Sequence, residues 1–136
     1  MPRSVPADPD HPVSRWHQVI ETRDPVRLAA LLADEVCFHS PVVHRAQQGR
    51  ALTTQYLLAA MQVFGDPSFQ YVRQVIGERD AVLEFTLTLD GIIINGVDML
   101  HWNDAGLIDD FKVMLRPLKG VNLIHEKMAA MLAAGR

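Results

Sequence analysis

One cysteine, Cys37, stands alone in this chain, so the sequence can build neither a disulfide framework nor a zinc cluster of several thiolates. Long apolar runs are missing as well: no stretch approaches the roughly 18 residues of a membrane-spanning helix, and no membrane association is expected. Basic residues are too few and too scattered for a nucleic-acid surface, with 13 Lys and Arg against 16 Asp and Glu and a net charge of −3. Met1 to Pro12 holds four of the eight prolines and no apolar stretch, unlike a secretory leader. The expected address is the cytoplasm, where Cys37 stays reduced. The sequence also lacks a Gly-x-Ser-x-Gly nucleophile turn, a phosphate-cradling glycine loop and a His-Glu-x-x-His pair. No metal site and no cofactor are expected.

What is present is an ordinary globular composition, 49% apolar and 21% charged in 136 residues, enough for one domain with a real core. Residues 1–11 are rich in proline and aspartate and read as a flexible tail; residues 12–136 read as a single domain. Val13, Trp16 and Ile20 share one stripe of a first helix. Asp24-Pro25 is a cap and first-turn pair for a second, carrying Leu28, Leu31 and Leu32. Val36 to Ser40 reads as a short strand stopped by Pro41. Gly49 precedes a third helix with Leu52, Tyr56, Ala60 and Phe64 on one side.

Beyond Gly65-Asp66-Pro67 the period changes to two. Phe69 to Ile76 is a strand. Leu83, Phe85, Leu87 and Leu89 alternate with polar residues in the next, and Asp90-Gly91 marks a hairpin. Ile92 to Trp102 is a long strand with a bend expected at Asn95-Gly96. Leu107 to Leu115 returns, Arg116-Pro117 stops it, and Val121, Ile124, Met128 and Met131 predict a closing helix. Helices followed by a four-strand meander predict an α+β fold, with a dimeric ferredoxin-like barrel as the competing topology.

Several segments taken together resemble a known superfamily: Leu32-Ala33-Asp34-Glu35-Val36-Cys37-Phe38-His39-Ser40-Pro41, Gly49-Arg50, Gly96-Val97-Asp98-Met99-Leu100-His101-Trp102 and Gly106-Leu107-Ile108. They look like the nuclear transport factor 2-like superfamily, in its SnoaL-like and ketosteroid-isomerase-like branch. The resemblance implies a cone-shaped, cystatin-like fold, with N-terminal helices packed on a bent antiparallel sheet. It also implies a homodimer formed through the sheet and a pocket for a hydrophobic small molecule. In the isomerases an Asp just before a Pro on the first strand is the base; the matching residue here is Ser40, which has no useful basicity alone. A Tyr on the first helix is an oxyanion donor; the matching residue is Trp16. A protonated Asp is the second donor, and the matching Asp98 retains that type. Steroid-type isomerisation by that mechanism is therefore not expected.

Strand parity adds candidates without the family. Asp98, Leu100 and Trp102 share one face, and the resemblance places it inward. A carboxyl there must raise its pKa or find a partner, with Trp16 and Ser40 as the expected partners. Asp98 is thus the candidate acid, Trp16 and Ser40 secondary polar contacts, and Phe38, Phe85, Leu100, Phe111 and Val113 the walls. His44 is a candidate substitute base if its loop folds over the pocket mouth; His39 has the wrong parity. His101, Met99, Val97 and Met114 belong to an outer face suited to an interface. Cys37 reads as a structural thiol, and Asp109-Asp110 as a solvated pair near a turn. Two functions fit: an isomerase- or cyclase-like enzyme on a hydrophobic polyketide-, terpenoid- or steroid-like compound, or a non-catalytic dimeric module that binds a ligand or a protein.

Overall fold

The structure, a computed structural model, describes residues 6–134. Asp24 caps α2 (Pro25–Leu31) as expected: its carboxylate accepts the Val26 amide, and Pro25 occupies the first helical position. α1 (Pro12–Thr22) is capped by His11, whose Nδ1 accepts the Val13 amide. The expected tail divides. Residues 1–5 lie outside the described residues, whereas residues 6–11 run against α1. There the Pro6 carbonyl accepts from Ser14 Oγ, the Pro9 carbonyl from Gln18 Nε2, and His11 meets Trp102 edge to face.

Leu32, expected in the second helix, is instead the first residue of β1 (Leu32–His39). It is fully buried in either setting, so its hydrophobicity does not tell helix from strand. β2 (Gln47–Gln48) pairs with Cys37 and Phe38; two glutamines carry no apolar pattern that announces a strand. Gly49, at φ 97°, turns the chain into α3 (Arg50–Val63). The meander follows as β3 (Gln70–Ile76), β4 (Asp80–Leu89), β5 (Ile92–Trp102) and β6 (Ile108–Arg116), and α4 (Leu118–Ala134) closes the chain. Asp90 and Gly91 both have positive φ, as a tight primed hairpin turn between β4 and β5 requires.

The sheet order is β2-β1-β6-β5-β4-β3. The meander is antiparallel, as its period-two pattern predicts, but β1 joins β6 in parallel. This is the expected α+β cone and not a ferredoxin-like barrel. Alternation sorts the side chains cleanly. Phe38, Leu83, Phe85, Ile94, Leu100, Phe111 and Val113 face the helices and are buried. Each such large apolar side chain contributes roughly 1.5–3 kcal/mol. Met99 and Met114 face the other way and stay exposed.

Gly96 is needed where β5 passes β4 and β6. A Cβ there would lie 2.6 Å from Phe85 Cζ, 2.7 Å from Leu115 Cδ2 and 2.7 Å from the Met114 carbonyl oxygen. One of these neighbours is backbone, so the clash has no soft way out. Gly96→Ala is expected to destabilise by about 1–3 kcal/mol, read as a lower urea midpoint with an unchanged slope.

Candidate small-molecule site

The inner face of the sheet and helices α1, α3 and α4 enclose an apolar cavity. Its walls include Phe38, Phe85, Phe111 and Val113 from the sheet, Trp16 and Ile20 from α1, Leu57 and Met61 from α3, and Ile124 and Met128 from α4. The open space is about 60 Å³. A hollow of about 280 Å³ adjoins it around Arg23, Gly65 and Asp66. Ile20, Met61, Phe64 and Phe69 border both spaces and form the wall between them.

Four residues bring polar side-chain atoms to this cavity: Asp98, Tyr71, Trp16 and Ser40. Three of them form a chain. Trp16 Nε1 donates to Tyr71 Oη at 2.9 Å, and Tyr71 Oη donates to Asp98 Oδ2 at 2.5 Å. The expectation that Asp98 bonds Trp16 or Ser40 directly is corrected here: Tyr71 stands between. Asp98 as a whole is only 7% exposed. Burial pushes the pKa of its carboxyl up to about 7, against the smaller lowering effect of the Tyr71 hydrogen bond. Burial and the adjacent Asp98 push the Tyr71 phenol well above its ordinary value, so it remains a donor.

Tyr71 escaped the parity reading because β3 is irregular. It pairs with Phe85 and points inward, yet Arg73, two residues on, pairs with outward Glu84 and bonds it at 2.9 Å. A register shift between Tyr71 and Arg73 reverses the alternation, as bulges do. The available signal was Phe69 and Tyr71 at spacing two. Both rings pack beside Phe85, with centroids 5.1 and 6.2 Å away.

The remaining candidates sort plainly. Trp16, Phe38, Phe85, Phe111 and Val113 border the cavity, and Trp16 meets Phe111 edge to face at 4.9 Å. Leu100 faces inward and is buried, but it lies outside the cavity lining and belongs to the core. Ser40 borders the cavity, with Oγ accepting the Val42 amide at 3.2 Å in a local turn. His44 is exposed and does not border the cavity, because its loop runs outward past Val43. His17 on α1 touches Gln74 Oε1 at 2.6 Å and packs edge-on against Tyr71. Asp109 and Asp110, expected as a solvated pair, each meet a histidine: His101 at 2.5 Å and His39 at 2.9 Å respectively.

A cone of sheet and helices around an apolar cavity with one buried carboxyl places the chain among the nuclear transport factor 2-like folds. It belongs to the SnoaL-like domain family, whose pattern matches residues 13–111. Among solved structures, a steroid delta-isomerase from Pseudomonas aeruginosa is 32% identical, with a TM-score of 0.87 over 96% of this chain and 97% of that one. A bacterial protein with a cystatin-like fold from Silicibacter pomeroyi is 33% identical, with a TM-score of 0.80 over 88% and 83%. A nuclear transport factor 2-like protein from Mesorhizobium loti shares the fold at 20% identity, with a TM-score of 0.67 over 86% and 100%. No protein of curated function matches the sequence. Among the described residues no helix is long and apolar enough to cross a membrane.

The Asp98 pKa carries a sign. Its folded value of about 7 lies above the ordinary 3.8, so between these values the folded chain holds a proton that the unfolded chain has released. Stability from the neutral carboxyl is complete below about pH 4 and is lost as pH rises through 7. From pH 5 to pH 8 this loss is on the order of 2–3 kcal/mol in urea unfolding. Asp98→Asn should remove that part of the slope; an identical slope in the variant would mean that the carboxyl is ionised throughout.

Proposed function

We propose that this protein binds a hydrophobic carbonyl compound in the cavity and assists proton transfer on it. Asp98 is the acid, and Tyr71 is held against it by Trp16. The observation that carries the reading is the carboxyl itself: buried in an aromatic wall, bonded by Tyr71 and poised at about 7. A neutral carboxyl can donate to a ligand oxygen and stabilise enol-type charge as it develops. Near its pKa the same group can also take a proton back. The family, and the 32% identical structure named as a steroid delta-isomerase, support a polyketide- or steroid-like substrate class. Ligand pockets of drug-like size are about 300–1,000 Å³. Such a compound therefore needs the Ile20, Met61, Phe64 and Phe69 wall to part, joining the cavity to the neighbouring hollow.

One observation favours a second reading, a non-catalytic binding module. The position matching the family's base is Ser40, and its hydroxyl is engaged by the Val42 amide, so among the described residues no strong base lines the cavity beside Asp98. In both readings the protein is a cytoplasmic homodimer joined through the outer sheet face, where Val75, Met99 and Met114 are exposed. Met114→Glu is expected to turn a dimer into a monomer by light scattering, with the thermal melt still cooperative.

The deciding experiment is a thermal-shift screen of hydrophobic ketones and enones, followed by deuterium exchange at the α-carbon of any binder. A ligand at 100 times its Kd stabilises by about 2.7 kcal/mol. Tyr71→Phe and Asp98→Asn should each weaken binding about tenfold, and Asp98→Asn should abolish exchange. Binding without exchange in the wild type selects the non-catalytic reading. Affinity unchanged in both variants refutes the site.

A further inference from the structure

The outer face of the sheet carries a second cluster, separate from the cavity. Cys37 and His39 alternate on β1 and therefore point to the same side. The parallel pairing of β1 with β6 sets Asp110 directly beside Cys37. The Cys37 thiol, a His39 ring nitrogen and an Asp110 carboxylate oxygen all lie within 4.8 Å of one another. His39 Nε2 and Asp110 Oδ1 are 2.9 Å apart, and both side chains are half-buried at 32% and 43% exposure.

We propose that Cys37, His39 and Asp110 form a binding site for a divalent transition metal of the Zn²⁺ type. One sulfur, one imidazole nitrogen and one carboxylate oxygen are a donor set that borderline cations take readily. Tetrahedral bonds of about 2.0–2.3 Å place ligand atoms about 3.3–3.6 Å apart, which side-chain rotation alone can reach from the observed spacing. The ligands stand on two paired strands, so their backbone positions are already set. Burial and the neighbouring Asp110 carboxylate both disfavour a thiolate at Cys37, and a dication reverses that balance. Binding replaces the thiol proton by metal and releases it to solvent. In the single chain, partial exposure leaves room for a fourth ligand, water or a group from a partner copy. Gln48, paired with Cys37 on β2, lies on the other flank. Lys112, paired with His39, brings a positive charge to the same face.

The test is titration of the chelator-treated full chain with Co²⁺, followed by competition with Zn²⁺. The expected result is one equivalent bound, with a near-ultraviolet thiolate-to-cobalt charge-transfer band. Cys37→Ser should lose the band. His39→Ala and Asp110→Asn should each weaken Zn²⁺ at least tenfold. Asp98→Asn should bind as the wild type does, which keeps this result independent of the cavity. No charge-transfer band in the wild type overturns the proposal. So does full affinity in both His39→Ala and Asp110→Asn, because the thiol would then be acting alone.

Discussion

A carboxyl shut inside an aromatic wall is the constraint on which the rest of this structure turns. An isolated carboxylate in such a place costs several kcal/mol, and the protein meets that cost in two ways. It keeps Asp98 largely protonated below about pH 7, and it supplies a phenol to bond it. Tyr71 is in turn fixed by the Trp16 indole, so the chain Trp16–Tyr71–Asp98 ties α1 to β3 and β5 across the cavity. Removing the middle member would leave polar groups buried at both ends.

The surrounding architecture accommodates that chain. Gly96 leaves room for the Phe85 ring, and Phe85 lies beside Tyr71 and Phe69. The irregularity in β3 turns Tyr71 inward while leaving Arg73 outside against Glu84. A regular strand would have placed both on one face. Burial in the apolar lining raises the carboxyl's pKa, because an ionised carboxylate is poorly solvated there. The same lining would also strengthen a hydrogen bond to a ligand oxygen.

The two faces of the sheet divide the chemistry. Among the described residues, a single acid with a phenol partner stands inside. Outside stand the His39–Asp110 and His101–Asp109 pairs, Cys37 and exposed methionines. Alternation along the strands is the reason: neighbours such as Asp98 and Met99 are adjacent in the chain and on opposite sides of the sheet. Ser40, where the resemblance places a base, borders the cavity with its oxygen committed to a local turn.

Much of this was legible in the sequence. Period two from Leu83 onward specified the meander, Asp24-Pro25 specified a helix start, and Asp90-Gly91 a hairpin, because each depends on neighbours within a few residues. The inward setting of Asp98 and the apolar walls of Phe38, Phe85 and Phe111 followed from parity joined to the family resemblance. Three things depended on tertiary structure. Tyr71 as the partner of Asp98 required the break in β3, which shifts parity without a sequence mark. The parallel seating of β1 beside β6, and with it the meeting of Cys37, His39 and Asp110, required a pairing between segments some 70 residues apart. The exclusion of His44 from the cavity required the path of its loop. Local pattern determines which face a side chain takes; only the packed fold decides which distant side chain it meets there.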